Sequence, residues 1–195
     1  CSQTYSVETP VLGGEITESD LHHVLLQGKS AEQPTDRELL HCIPVGYKID
    51  ATKGIRDPRG MYAEMLGVDM HIVTARTGAL RNVTTCVQRC HLDIEAVVAA
   101  PYASGLSCLV EDEIDLGVTL IDMGGGTTTI AVFYNGEVVH TDSIPVGGYH
   151  VTSDIARGLS TPLANAERMK TLYGSTLPSP ADERELIDVP LIGEE

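Results

Sequence analysis

No apolar run in this chain approaches the ~18 residues of a membrane-spanning helix, so no segment is expected to cross a bilayer. Positive charge is scarce: 13 Lys and Arg stand against 28 Asp and Glu, a formal net charge of −15. That balance argues against a nucleic-acid surface, and its plain account is solubility and mutual repulsion. The first residue is Cys1 rather than Met, and no signal-peptide pattern follows; the chain reads as an internal piece of a longer protein. The five cysteines are odd in number and show no paired framework, which suits a reducing cytosol. Cys86, Cys90 and His91 carry ligand chemistry. With no second ligand pair near them, buried helix cysteines are the better expectation than a metal. Two nucleotide signatures are missing as well, the Walker lysine and the G-x-G-x-x-G spacing.

What is present centres on Val118 to Val132, VTLIDMGGGTTTIAV. An apolar run ends in Asp122, three glycines follow (Gly124, Gly125 and Gly126), and threonines lead into a second apolar run. The pattern predicts strand, tight turn, strand. Glycines let backbone N–H groups close on an anion and tolerate positive φ. Asp122 at the strand end can hold a hydrated Mg²⁺ beside a phosphate, and Thr127 and Thr128 place hydroxyls at the same lip. The alternative is a hairpin with no ligand. Asn135-Gly136 is a strong two-residue hairpin signal, so Thr127 to Tyr134 and Glu137 to Ile144 read as two further strands.

The 195 residues, 42% of them hydrophobic, allow one domain or two small ones. From the start, Val7 to Leu12 reads as a short strand. Thr17 and Asp20 resemble a capping box opening a helix with Leu21, Val24 and Leu25 on one face, ending near Gly28. Lys29 to Asp36 is expected to be loop. Leu39 to Asp50 reads as a strand interrupted or edge-placed at Pro44, and Lys53 to Met61 as a turn-rich loop. Leu66, Val68, Met70 and Ile72 alternate with Gly67, Asp69, His71 and Val73, which marks a half-buried strand. Thr77 is expected to cap a helix, Ile94 to Ala99 to form a buried strand, and Pro101 to begin a helix with Leu106, Leu109 and Val110 as its apolar face, running through acidic Glu111 to Asp115 into the central strand. Helices follow over Val151 to Leu159 and Asn165 to Tyr173, then a loop over Ser175 to Ala181 and a strand over Glu185 to Val189. Glu167 and Lys170 share a helix face at i, i+3. From spacing alone they make a surface ion pair of small worth.

Strand, D-x-G-G-G-T, strand, N-G turn, strand resembles the second phosphate loop of the actin, heat-shock chaperone and sugar kinase superfamily. Gly54-Ile55-Arg56-Asp57-Pro58-Arg59-Gly60-Met61 with His71-Ile72-Val73-Thr74, and Val151-Thr152-Ser153-Asp154-Ile155-Ala156, resemble more narrowly the FtsA family of bacterial cell-division proteins. The likeness covers nearly the whole chain and keeps the motif order. It implies an α/β, actin-like ATPase fold, partial, with an α+β insert of strand–helix–strand–strand type over residues 1–76. Residues 77–116 would be the remainder of the first lobe, and 117–195 the second lobe with the glycine loop. It further implies ATP and Mg²⁺ as ligands, with Asp122, Gly124, Gly125, Gly126, Thr127 and Thr128 on phosphates and metal, and Glu167 and Lys170 on ribose and adenine. Implied partners are FtsZ, further copies in a filament, and later division proteins through residues 1–76. The membrane would be reached only by a C-terminal helix absent here, placing the protein in the cytoplasm at the inner face of the plasma membrane at the division site. A first phosphate loop would precede Cys1 and an adenosine loop follow Glu195, leaving about half a nucleotide site. No residue that orients an attacking water can be named, so catalytic residues and the importance of hydrolysis stay open.

Three other readings share the superfamily: a sugar or acetate kinase, a chaperone ATPase, and the FtsA-like protein of type IV pilus assembly. The kinase would need a substrate carboxylate base and a sugar pocket, and neither is seen. The insert argues against the chaperone, whereas the pilus protein shares fold and insert. Within 1–76, His22, His23, His41 and His71 lack convergent partners at ligand spacing. An interaction unit with an unpaired strand edge near Cys1 to Val7 is therefore expected, a mere stiffener being the alternative.

Overall fold

The computed structural model describes residues 2–30, 35–177, 179–180 and 182–193. It divides into two compact units, one of Cys1–Asp122 with Thr129–Ser143, the other of Met123–Thr128 with Ile144–Glu195.

The first unit begins with a four-stranded antiparallel sheet of order β1-β4-β2-β3, built from β1 (Ser2–Pro10), β2 (Arg37–Ile49), β3 (Thr52–Ile55) and β4 (Met65–Arg76). β4 lies between β1 and β2, pairing along its length with both. Helix α1 (Glu18–Lys29) opens on Thr17, whose N–H and hydroxyl both donate to the Asp20 carboxylate while the Asp20 N–H donates back to the hydroxyl. This is the reciprocal box that satisfies otherwise orphaned helix donors. Val24 of α1 joins Val11, Ile16, Ile49, Leu66, Val68 and Met70 in the core of this region. Each large side chain fully buried there contributes about 2 kcal/mol.

β4 is buried on both faces, not half-buried: Leu66, Val68, Met70 and Ile72 on one side, Gly67, His71 and Val73 on the other. The alternation expected from the sequence is there, but the second face is covered too. Pro44 stands where the register shifts, and β3 pairs only with Tyr47 to Ile49, so the missing proline N–H falls at a bulge beyond the reach of β3.

The rest of this unit is α2 (Thr77–Arg89), α3 (Ala100–Cys108), α4 (Glu111–Leu116) and the bulk of a three-stranded meander, β5 (Val118–Met123), β6 (Thr128–Tyr134) and β7 (Glu137–Ile144) in that order. Ala131, Phe133 and Val138 form its core, with Tyr102, Leu109, Ile114, Val118 and Leu120 against them. Asn135 and Gly136 have φ of 53° and 87°, the two left-handed positions of a tight hairpin turn. The second unit holds the glycine loop, α5 (Gly148–Leu159), α6 (Leu163–Tyr173) closed by Gly174, and a 3-10 turn at Asp182–Arg184.

Several expectations need correction. β1 begins at Ser2, earlier than Val7, and pairs with β4 along its length. It ends the sheet order β1-β4-β2-β3, so its outer edge up to Val7 carries no further strand among the described residues, as expected; Cys1 lies outside the described residues. The loop over Lys53 to Met61 starts as strand β3. Thr77 is the first residue of α2, not its cap, and Arg76 at the cap position makes no side-chain capping bond. Ile94 to Ala99 is not a strand, and Val97 and Val98 are exposed; no described strand stands beside it to complete a ladder. The helix after Pro101 breaks at Leu109-Val110, and Leu106 and Val110 face solvent. Cys86 and Cys90 are exposed, and no described residues cluster as a metal site. Glu185 to Val189 is irregular. The expected loops over Lys29 to Asp36 and Ser175 to Ala181 lie partly outside the described residues, at 31–34, 178 and 181.

Candidate functional site

The glycine loop leaves β5 after Met123 and is closed by one internal bond, Gly124 N–H to the Thr127 carbonyl at 2.9 Å. None of the three glycines has a positive φ, so left-handed backbone is not what this turn asks of them. What they provide is access. Gly125 and Gly126 are exposed, and a Cβ on either would meet nothing within 4 Å.

The loop is held from behind by α5. Gly148 N–H donates to the Gly124 carbonyl at 3.0 Å and Tyr149 N–H to the Gly125 carbonyl at 2.8 Å. Two donors that a helix N-terminus leaves unpaired thus fix two loop carbonyls. Gly147 lies so close to Gly124 and Gly125 that an added Cβ would force a shift. The Gly147 N–H is taken by His150 Nδ1 at 3.0 Å. With its carbonyls held on one side, the loop keeps the N–H groups of Gly125, Gly126 and Thr127 without partners among the described residues. Successive free amides of this kind form an anion-binding concavity.

The two threonines differ. The Thr128 hydroxyl donates to the Val146 carbonyl at 2.7 Å, so its proton fastens the loop instead of facing a ligand. Thr127 is exposed and its hydroxyl makes no such bond. Asp122, which precedes the loop in the chain, accepts from Ser104 Oγ at 2.9 Å through Oδ2, leaving Oδ1 without a described partner. A single carboxylate, oriented by a hydroxyl and with one oxygen free, fits a magnesium ion that keeps most of its waters.

Glu167 and Lys170 form the expected pair at 2.7 Å, but within a larger network. Lys170 Nζ also donates to Thr152 Oγ1 at 2.9 Å and to the Gly148 carbonyl at 3.2 Å, and Thr152 bonds the Glu167 carboxylate. The Lys170 ammonium first, and the Thr152 hydroxyl next, hold the Glu167 carboxyl below the usual carboxylate range. α6 is thereby tied to the same first turn of α5 that supports the loop. Sequence reading assigns no site role to Gly147, Gly148 or His150, and names Thr152 only within a family motif. Their signal in the sequence is Pro145-Val146-Gly147-Gly148 directly before a helix, a glycine pair where a helix N-terminus meets a neighbouring backbone.

Two family models match this chain. One, described as the SHS2 domain inserted in FtsA, covers residues 1–74, and the other, cell division protein FtsA, covers residues 119–195. The chain belongs to the FtsA family. Curated FtsA family members agree: that of Agrobacterium fabrum is 52% identical over 194 residues, covering 100% of this chain and 44% of the relative. That of Escherichia coli K12 is 37% identical over 184 residues, covering 94% of this chain and again 44% of the relative. The chain therefore spans under half the length of these FtsA relatives. Among solved structures, a PilM–PilN type IV pilus biogenesis complex aligns with a TM-score of 0.56 at 18% identity, over 89% of this chain and 48% of that one. This likeness shows a shared fold; the chain has the partial actin-like fold of its family and carries the family's inserted subdomain. No helix among the described residues is long and apolar enough to cross a membrane.

Proposed function

We propose that this chain is part of an ATP-binding cell-division protein that assembles with further copies of itself, tethers FtsZ to the inner face of the plasma membrane, and recruits later division proteins through residues 1–76. Residues 77–116 then complete the first lobe, and 117–195 begin the second. The observation that carries the nucleotide reading is the row of unpartnered N–H groups at Gly125, Gly126 and Thr127, on a loop whose carbonyls α5 already holds. Such a row suits phosphate oxygens and has no use in a plain hairpin. Asp122 would orient the hydrated Mg²⁺, whose chemistry is to neutralise phosphate charge. Glu167 and Lys170, already fixed by Thr152 and Gly148, would meet ribose and adenine. The family membership supports FtsZ, not a pilus protein, as the partner. Phosphotransfer to a sugar has no support among the described residues, where no acceptor pocket with a carboxylate base is recognised.

Asp122→Asn in the full-length protein tests the metal role. Nucleotide binding should lose much of its magnesium requirement while the melting temperature holds. Titration with Mg·ATP identical to the parent would reduce Asp122 to a turn residue. Capture of FtsZ by the full-length protein tests the partner, and no capture in the presence of ATP would return the pilus-type reading.

A further inference from the structure

We propose that the first unit carries an oxyanion site, separate from the glycine loop, in a cavity of about 580 Å³ between the ends of β2, β4 and β7. Arg37 and Arg76 both line it, and they are direct cross-strand partners in the β2–β4 ladder. Like charges placed directly opposite each other on antiparallel strands are destabilising. Here the repulsion is not relieved: neither guanidinium forms an ion pair among the described residues, in a chain of net charge −15. Arg37 is oriented by Thr74, donating from Nε to Oγ1 at 2.7 Å and from Nη2 to the carbonyl at 2.9 Å, while the Arg76 guanidinium has no hydrogen-bond partner among the described residues.

The other walls point to the same sign of ligand. Arg76 and Ala99 are the cap residues of α2 and α3, neither helix has a side-chain cap, and both residues line the cavity. Two positive helix ends thus converge on it. Thr129, also on the wall, has a buried hydroxyl with no hydrogen-bond partner, an arrangement that costs free energy unless something occupies it. Asp142 is the carboxylate on this wall, and it is turned to its own backbone, accepting from Ser143 N–H at 2.8 Å. A phosphate-class oxyanion would bridge the paired arginines, in the fork geometry guanidinium favours, and give the Thr129 hydroxyl an acceptor.

The source of such an oxyanion is free phosphate or a nucleotide phosphate, and the test separates them. The full-length protein is titrated with inorganic phosphate at low ionic strength, alone and with saturating Mg·ADP, following heat of binding and melting temperature. The site predicts phosphate binding that persists beside Mg·ADP. Arg76→Gln should weaken it about tenfold or more. In the absence of phosphate Arg76→Gln should melt no lower than the parent, because it removes a like-charge pair, and the phosphate-dependent rise in melting temperature should disappear. Thr129→Val should also weaken phosphate without lowering the unliganded melting temperature. Phosphate binding that Mg·ADP abolishes, or that Arg76→Gln leaves unchanged, overturns the proposal. So does the absence of any phosphate binding to the parent.

Discussion

β6 is joined to β7 by Asn135-Gly136 and to β5 by the loop Gly124–Gly126, and the two connections use glycine for different ends. In the first, both turn residues have positive φ, a conformation that costs a residue with a side chain about 1–2 kcal/mol. The turn is braced from outside: Asn135 N–H donates to the Asp115 carbonyl at 3.1 Å, and Arg56 Nη2 reaches both Asp115 at 3.1 Å and Asn135 Oδ1 at 3.2 Å. In the second, the backbone is ordinary and a side chain would fit at Gly125 or Gly126. One turn needs glycine to fold. The other needs it so that a ligand can come close, and only the first should register in stability.

The sharpest contrast comes from placing the same side chain at each turn. Gly136→Val should lower unfolding free energy by about 2 kcal/mol, read by chemical denaturation, with nucleotide affinity of the folded protein unchanged. Gly125→Val should do the reverse: stability within ~0.5 kcal/mol of the parent, and Mg·ATP affinity down at least about tenfold, or ~1.4 kcal/mol. Equal ATP affinity in a folded Gly125→Val variant would remove the loop from the nucleotide site.

A smaller effect concerns the strand after the braced turn. His71 is fully buried on β4, its Nε2 at 3.2 Å from the Thr141 hydroxyl of β7. Burial first, then nearby His140 and His41, push its pKa below the usual 6.5. Because the folded value is the depressed one, the contribution is present above about pH 6.5 and is lost as pH falls from there through the folded value. The denaturation midpoint should therefore drop between pH 7.5 and 5.5. His71→Gln should flatten that slope in part, since burial lowers the His41 pKa as well. An unaltered slope would place the pH dependence elsewhere. Smallest is Arg56→Ala, which removes an exposed brace worth about 0.5 kcal/mol or less. It should destabilise the parent but not a Gly136→Val background in which the turn is already distorted, and additive losses would show that the brace and turn are independent.

Arg56 also shows where sequence reading stopped. Its side chain is exposed in the turn-rich region over Lys53 to Met61, yet it holds Asp115 and Asn135, contacts 59 and 79 residues away in the chain that no local pattern announces. The Arg59 guanidinium is likewise engaged, with Asp57 at 2.7 Å and Glu18 at 3.7 Å. Local chemistry was legible: the Thr17–Asp20 box, the Asn135-Gly136 turn, the β4 alternation and the Glu167–Lys170 spacing all follow from residues within a few positions of each other. What needed the third dimension was burial on the second face of β4, the seat of Gly147 against the loop, and the fate of Ile94 to Ala99. That last run is as apolar as a buried strand, but hydrogen-bonded partners, not composition, decide whether such a run becomes one.

The pairing of β1 with β4 has a consequence for synthesis. Ser2 pairs with Val73 and Pro10 with Met65, so the first strand cannot close its ladder until some seventy further residues have been made. At ribosomal rates of roughly 5–20 residues per second, that delay lasts on the order of 4–14 seconds. A nascent strand waiting so long is an invitation to join the wrong chain. The composition of SQTYSVETP answers that hazard: Tyr5 and Val7 are its large apolar side chains, with hydroxyls, an amide and Glu8 between and around them and Pro10 at the end. Exchanging the exposed Glu8 for valine, which spares the Ser6 hydroxyl that bonds Asp69 and Lys48, would raise the fraction lost to aggregation during translation.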